Sequence, residues 1–258
     1  SAKYSHAEGY LTETLAFYDH AEGQQTTAKG SASHAEGLLT IASGLASHAE
    51  GISTHASGAS SHAEGNTTLA LGQQSHAEGY FTTASGLTSH AEGKETHIVG
   101  EASHAEGQYT LASGSFAHAE GSGSIASGSW SHAEGAETLA TGIASHAEGL
   151  SSRALGDYSH AEGLFTIALG DYQHTMGRYN HPNTHSLVII GNGQNSSITS
   201  SLIEFNRDGI IINEPITGST FNIEANTIIS DSSTTELLRV TQTGTGDAIR
   251  IEDSGNPD

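Results

Sequence analysis

Small and polar residues alternate in a pattern that returns every fourteen residues over the first two thirds of the chain. The repeat reads His-Ala-Glu-Gly-x-x-Thr-x-Ala-x-Gly-x-x-Ser and divides into two seven-residue halves of the form Ser/Thr-x-Ala-x-Gly-x-x. Each half has a period of two, which predicts a short β-strand with alternate residues on opposite faces. The two glycines in every repeat and the lack of an apolar stripe at the helical period argue against a helix.

The period is kept without insertion or deletion. Twelve copies run from His6 to His160, and a thirteenth, degraded copy begins at His174. Repetition this strict predicts a parallel β-solenoid in which each repeat is one turn carrying two short strands. The Ser, Thr and Ala side chains would fill a narrow interior, and the glycines would lie at corners that require a positive φ. At ordinary strand spacing, thirteen turns would span about 60 Å.

The outward-facing residues of the two halves differ in character. Those of the first half are always His and then Glu, whereas those of the second half vary, for example Ile41 and Ser43, or Arg153 and Leu155. A core of Ala and Gly buries little apolar area, so we expect several chains to pack side by side. We hypothesise that the invariant face lines the axis of that assembly, because an interface repeated in every turn restricts its residues and solvent does not. The predicted ladder comprises His6, Glu8, His20, Glu22, His34, Glu36, His48, Glu50, His62, Glu64, His76, Glu78, His90, Glu92, His104, Glu106, His118, Glu120, His132, Glu134, His146, Glu148, His160 and Glu162.

A competing interface consists of apolar outward residues from the second half of the repeat. These are Ile41, Leu69, Leu111, Ile125, Leu139 and Ile167. Scattered aromatic residues at the corners also have two interpretations, because such rings either stack on sugars or pack against a neighbouring chain. The threonines of the second half point inward in this pattern, which argues against a displayed ice-binding array.

After residue 172 the repeat fades and larger apolar residues appear. Residues 180–183 read as a loop, 186–190 as a strand ended by Gly191-Asn192-Gly193, and 202–205 with 210–212 as a hairpin. Further strands are expected at 221–229, 236–240 and 248–251. We therefore divide the chain into β-roll repeats (1–172), a β-rich cap or shoulder (173–230) and a fibrous β connector (231–258).

The Ser-His-Ala-Glu-Gly copies and the segment Tyr172–Asn180 together carry a family resemblance. The chain resembles the head of trimeric autotransporter adhesins, the YadA-like head, in the form found in bacteriophage tail-fibre and other virion appendage proteins. The stretch Leu187–Gly193 resembles the segment that commonly follows these repeats in phage proteins. This resemblance implies an all-β, left-handed parallel β-roll, a homotrimer, and a structural part in host attachment from a virion tail fibre.

The resemblance also implies partners: the chain itself, other tail or virion proteins, and a host cell-surface glycan or protein. The alternative is the head of a bacterial trimeric autotransporter adhesin that binds host ligands from the cell surface. A membrane-anchor barrel after a coiled coil would indicate the adhesin. A virion-attachment domain upstream of this chain would indicate the tail fibre. The chain starts at Ser1 without Met and shows no signal peptide or membrane span, so we expect a segment of a longer protein.

Composition narrows the function classes. With 8 Lys and Arg against 29 Asp and Glu, the net charge of −21 argues against nucleic acid and anionic membranes as partners. There is no cysteine, and therefore no disulfide framework or thiolate chemistry. Neither a Gly-x-Ser-x-Gly elbow nor a phosphate-binding loop appears, and a repeated motif is unlike a single active site, so we predict no enzyme and no cofactor.

The His and Glu columns have chemistry that the sequence leaves open. His-x-Glu from three chains would suit Zn²⁺, but twelve identical copies indicate architecture, so no metal is predicted. Pairing with Glu would raise the pKa of each His, and burial would lower it. The sequence alone does not decide between these two effects.

Overall fold

The computed structural model describes residues 4–207 and 209–212, and in this part of the chain the secondary structure is entirely β. Every His-Ala-Glu-Gly copy begins a strand, as does its degraded relative at residue 174. These strands are β1 (His6–Tyr10), β3 (His20–Gln24), β5 (His34–Leu38), β7 (His48–Ile52), β9 (His62–Asn66), β11 (His76–Tyr80), β13 (His90–Ala91), β15 (His104–Ala105), β17 (His118–Ala119), β19 (His132–Ala136), β21 (His146–Leu150), β23 (His160–Leu164) and β25 (His174–Arg178).

The second half of each repeat forms a two-residue strand. These are β2 (Glu13–Thr14), β4 (Thr27–Ala28), β6 (Ile41–Ala42), β8 (His55–Ala56), β10 (Leu69–Ala70), β12 (Thr83–Ala84), β14 (His97–Ile98), β16 (Leu111–Ala112), β18 (Ile125–Ala126), β20 (Leu139–Ala140), β22 (Arg153–Ala154) and β24 (Ile167–Ala168). Three longer strands follow: β26 (Ser186–Asn192), β27 (Ser201–Asn206) and β28 (Gly209–Ile212).

Two sheets result from this order. The odd-numbered strands β1 to β25 pair in parallel with the next odd strand, and β26, β27 and β28 extend the same sheet to sixteen strands. The even-numbered strands β2 to β24 form a parallel sheet of twelve. Equivalent residues pair with each other, for example His34 with His48 and Glu36 with Glu50. The predicted β-solenoid of about thirteen turns of fourteen residues is therefore confirmed.

The interior between the sheets is as narrow as the small residues require. Alanines such as Ala35 and Ala42 are fully buried, and the Ser and Thr that precede each strand, such as Thr40 and Ser47, are also buried. The Ser47 hydroxyl donates a hydrogen bond to the carbonyl of Gly44 at 2.8 Å. The inward orientation predicted for these residues is correct, including that of the threonines.

The corners differ from the prediction in which residues adopt a positive φ. From Tyr4 to Tyr179, every seventh residue has a left-handed φ, and Gly123 is the glycine of that series. The prediction that corner glycines supply this conformation is correct for the glycine after Glu, such as Gly51 with φ 103°. It is wrong for the other glycine of the repeat, such as Gly58, which does not have a left-handed φ. Glycine is required there because a Cβ would overlap the backbone of Gly72.

The last turns end the solenoid with side-chain amides in place of a further rung. The Gln173 side chain accepts a hydrogen bond from Leu169 N at 2.8 Å and donates one to the carbonyl of Ser186 at 2.6 Å. The Asn180 side chain pairs with both backbone groups of Ile167, at 2.7 and 3.0 Å. Both amides are almost completely buried. Backbone groups that the next turn would satisfy are thus satisfied by side chains.

Beyond the last turn, β26 pairs in parallel with β25 and antiparallel with β27. The strand predicted for 186–190 continues through Gly191 and Asn192, so the expected stop at Gly191 is wrong; both residues still pair with β25. The hairpin is confirmed, with Asn206 opposite Gly209 in the β27–β28 pair. The strands expected at 221–229, 236–240 and 248–251 lie outside the described residues, as does the connector at 231–258. In the described part of the chain, no helix has the length and hydropathy needed to cross a membrane.

Candidate functional site: the His-Glu face

The invariant His and Glu side chains lie on the outer face of the sixteen-stranded sheet. His, Ala and Glu are consecutive in each strand, and because Ala points inward, His and Glu point outward. In the inner turns the side chains are about one third exposed, with His34 at 34% and Glu36 at 34%, whereas the terminal pair His6 and Glu8 is 66% and 61% exposed. The structure therefore brings all the predicted ladder residues onto one face.

The imidazole rings form a continuous stack. From His20 to His174, neighbouring ring centroids are 4.6–5.0 Å apart and the ring planes differ by 1–11°. At the exposed end, His6 is tilted by 57° from His20. The thirteenth copy keeps its His in the column, although Met176 replaces the Glu. This spacing follows directly from the parallel register, since each strand places the same residue one strand spacing further along.

Most imidazoles lie within 4.0 Å of a carboxylate from their own turn, from the preceding turn, or from both. In His34, Nε2 is 3.8 Å from Glu36 Oε2 and 3.7 Å from Glu22 Oε1. These distances are too long for hydrogen bonds but short enough for electrostatic interaction. Within the described chain, the Nε2 atoms from His20 to His174 are shielded from solvent and have no hydrogen-bond partner.

Burial lowers the pKa of five imidazoles in the His column. Desolvation, reinforced by neighbouring imidazoles, lowers the pKa below 6.5, and the attraction of nearby Glu does not compensate for it. This holds for His76, His104, His118, His132 and His146. The question that the sequence left open is thus answered for these residues. Because their folded pKa is depressed, their contribution to stability is present above pH 6.5 and is lost as the pH falls through the folded pKa.

Neighbouring carboxyl groups of the Glu column shift each other's pKa, which the sequence analysis missed. Hydrogen bonds with the side chains of Glu106 and Glu78 raise the pKa of Glu92 to about 7, while equivalent hydrogen bonds with Glu64 and Glu92 lower the pKa of Glu78. Glu120 also has its pKa raised to about 7, first by a hydrogen bond with Glu106. Carboxyl groups with a raised pKa, Glu92 and Glu120, thus alternate with carboxyl groups whose pKa is lowered, Glu78 and Glu106. The sequence signal for this interaction was the Glu at every fourteenth residue, because a parallel register aligns these residues in one column.

We expect the substitution Glu92→Gln to stabilise the protein increasingly as the pH rises. The folded pKa of Glu92 lies above its usual 4.5, so the stability from its protonated form is present below that value and is lost as the pH rises through about 7. A glutamine keeps a hydrogen-bond donor at every pH. The melting temperature of the variant should exceed that of the wild type by about 2–4 °C at pH 8 and match it near pH 5. Glu101→Gln, at an exposed position outside the column, is the matched control. A gain in melting temperature that does not change with pH would contradict the raised pKa of Glu92.

A trough runs beside the Glu column. It consists of three successive hollows of about 1000, 480 and 460 Å³, each lined by Glu and Gly side by side. In the hollow nearest the end of the solenoid, Met176 and Ile190 join Glu148 and Glu162 in the lining. The trough exists because each Glu is followed by a glycine, which adds no side chain to the outer surface.

The same face offers groups of metal ligands, although their spacing does not suit a shared ion. In the group of His48, Glu50 and His62, the three ligand atoms lie within 4.8 Å of one another. The rings of His48 and His62 are parallel and 4.8 Å apart. Two nitrogens bound to one Zn²⁺ lie at most about 4.2 Å apart, from the usual bond length. Parallel stacked imidazoles therefore do not chelate one ion without leaving the stack.

The comparison with protein families agrees with this geometry. The family model described as the YadA head domain repeat matches residues 49–75, 63–89, 105–131 and 147–172. The chain therefore carries repeats of the YadA head type, as the sequence resemblance indicated. This head is a structural β-solenoid of adhesins that act outside the cell. No curated protein matches the chain.

Proposed function

We propose that this chain is a structural segment of a homotrimeric phage tail fibre or related virion appendage that takes part in host attachment. The observation that carries the proposal is the His-Glu face. Over twelve turns it presents a stack of imidazole rings beside an acidic trough. These His and Glu side chains remain about one third exposed in the single chain, and two further chains around a three-fold axis would cover them.

Several features support a virion appendage rather than a bacterial adhesin. The segment from Tyr172 to Asn180, which resembles phage proteins, contains Gln173 and Asn180, and these buried amides end the solenoid before β26. The repeated turn offers a stiff spacer because equivalent strands pair along its whole length. The proposed partners are two further copies of the chain, other virion proteins and a host-surface molecule. Antibodies against the chain should label virions; labelling confined to bacterial surfaces would favour the adhesin alternative.

The solution mass of residues 1–258 tests the trimer. Three chains of 26.5 kDa give about 80 kDa, and sedimentation equilibrium at neutral pH should yield this value without a concentration-dependent monomer. A mass of one chain would contradict both the assembly and the axial role of the His-Glu face.

A further inference from the structure

A hollow of about 430 Å³ lies on the other face of the repeats, near the end of the solenoid. It is bounded by one column of corner residues and by the outward residues of the twelve-stranded sheet. The corner column contributes Gly123, Glu137, Ser151, Phe165 and Tyr179, at successive intervals of fourteen residues. Ser196 and Thr199, from the loop before β27, also line the hollow. The volume is in the range of small-molecule sites.

An aromatic face opens into this hollow. The ring of Phe165 stacks on that of Tyr179 with centroids 5.0 Å apart and planes 9° from parallel. Tyr179 therefore covers one face of the Phe165 ring, and the opposite face is directed along the column toward Ser151. Because Ser151 has a small side chain, the space that a third ring would occupy is open. Phe165 remains 39% exposed despite its stacking partner.

A cation without a partner lies beside that face. In the outward column of the twelve-stranded sheet, Arg153 stands between Leu139 and Ile167, which pair with it on either side. In the part of the chain that the structure describes, no carboxylate forms an ion pair with the Arg153 guanidinium. In a chain with a net charge of −21, such a cation in an apolar column is available for an external anion.

The hollow also offers acceptors and donors for hydroxyl groups. The Ser151 hydroxyl donates to Glu137 Oε2 at 3.2 Å, so a carboxylate and a hydroxyl lie together at the far side of the open space. The absence of a side chain at Gly123 lengthens the space: a Cβ there would have Glu137 Cγ, at 3.7 Å, as its nearest neighbour. An apolar ring face, a cation and several hydrogen-bonding groups therefore converge in one cavity.

We propose that this hollow binds a pyranose sugar bearing a carboxylate, a hexuronic acid. The sugar ring occupies the space above Ser151 with its C–H face on Phe165, its carboxylate pairs with Arg153, and its hydroxyls bond to Glu137 and Ser151. The proposal deepens the attachment function and rests on it for its biological setting. The cavity itself is built from one chain, on the sheet that does not carry the His-Glu face.

A related hollow along the same corner column serves as an internal comparison. Its volume is about 390 Å³, and Phe81 lies between Thr67 and Glu95 in its lining. The outward residue of the turn before Phe81, equivalent to Arg153 in the turn before Phe165, is Leu69, and Leu69 lines this second hollow. The second hollow therefore lacks the permanent cation that the proposed site uses to select an acidic sugar.

The test uses the methyl glycosides of glucuronic and galacturonic acid, with methyl glucoside as the probe without a carboxylate. Binding to the whole chain is followed by saturation-transfer NMR and titration calorimetry. We expect at least one of the two uronides to bind at least tenfold more tightly than the glucoside. Ser151→Phe should weaken uronide binding at least tenfold, since the new ring fills the space in the stack.

Matched variants keep the test independent of folding. Phe81 and Phe165 already occupy the corner column with left-handed φ, so phenylalanine is compatible with position 151. Ser53→Phe places the same ring in the same column, outside the hollow, and should leave binding within twofold of the wild type. Arg153→Leu, which repeats the residue of the preceding turn, should remove the preference for the uronide over the glucoside.

Two results would overturn the proposal: a wild-type protein that binds neither uronide, or uronide binding that survives Ser151→Phe unchanged. Uronide binding at Phe81 or elsewhere on the chain would survive Ser151→Phe and would therefore also overturn the proposal. The sedimentation mass of the same samples separates this proposal from the trimer. A particle of three chains that binds no uronide refutes the sugar site alone, whereas a single chain that binds refutes the trimer alone.

Discussion

Replacing Gly58 by alanine is expected to destabilise the protein by more than about 3 kcal/mol, although the substitution adds a single methyl group. A Cβ at this position would overlap the carbonyl oxygen of Gly72, one turn further on, and would lie 2.9 Å from Gln73 N. These are backbone atoms held in a parallel ladder, so no side chain can move aside. Because the same ladder continues in both directions, relief at this turn would disturb its neighbours. Thermal unfolding followed by circular dichroism should show a melting temperature lower by about 10 °C.

Gly123→Ala is the matched control, because it makes the same substitution in the same solenoid. Gly123 has a φ of 71°, but a Cβ there would have no atom nearer than 3.7 Å. Non-glycine residues adopt this conformation throughout the corners, so the expected cost is only that of a left-handed alanine, about 1 kcal/mol. Equal melting temperatures for the two variants would show that the close approach at Gly58 does not limit stability.

Three added carboxylates on the His-Glu face are expected to separate the assembly into single chains. The variant carries His62→Glu, His76→Glu and His90→Glu, which replace three imidazoles of the stack by groups that repel the existing Glu column. In a three-fold assembly each substitution occurs three times around the axis, so nine charges are added to one interface. Like charges brought together without compensation oppose association strongly. The sedimentation mass should fall from about 80 kDa to that of one chain, 26.5 kDa.

The control adds the same charges to the other sheet in neighbouring turns. Its substitutions are Leu69→Glu, Thr83→Glu and His97→Glu, at positions whose side chains face outward from β10, β12 and β14. This variant should retain the mass of the wild type. The opposite result, dissociation of the control and not of the His variant, would place the interface on the apolar column that contains Ile41 and Leu69.

Much of the fold is predictable because one local rule repeats. Alternation within Ser33-His34-Ala35-Glu36 predicts correctly that Ser and Ala are buried and that His and Glu point outward. The hairpin at Asn206–Gly209 is likewise predictable, because its turn residues have strong local preferences. The stop predicted at Gly191 fails because strand pairing with β25 and β27 outweighs the local preference of glycine for a turn.

The site is less predictable than the fold, because its properties arise between turns. Alternation places Glu78 and Glu92 on one face, but only the register between turns makes each carboxyl group shift the pKa of the other. Similarly, nothing in the linear sequence distinguishes Ser151, Arg153 and Phe165 from the other residues at the variable positions of the repeat. They form a hollow because a small residue, a cation and an open ring face fall in consecutive turns. Reading the sequence in columns of fourteen would have revealed the combination.

The identical register between successive turns makes the length of this protein adjustable in units. Each turn pairs with its two neighbours through the same residues, such as His34 with His48 and His48 with His62. Removal of any fourteen consecutive inner residues therefore joins two turns that already fit each other, and shortens the stack by one strand spacing of about 4.8 Å. Unequal recombination within the gene can therefore lengthen or shorten the solenoid by whole repeats, and no new contact between turns is needed. The number of repeats in the sequence sets the length of the solenoid.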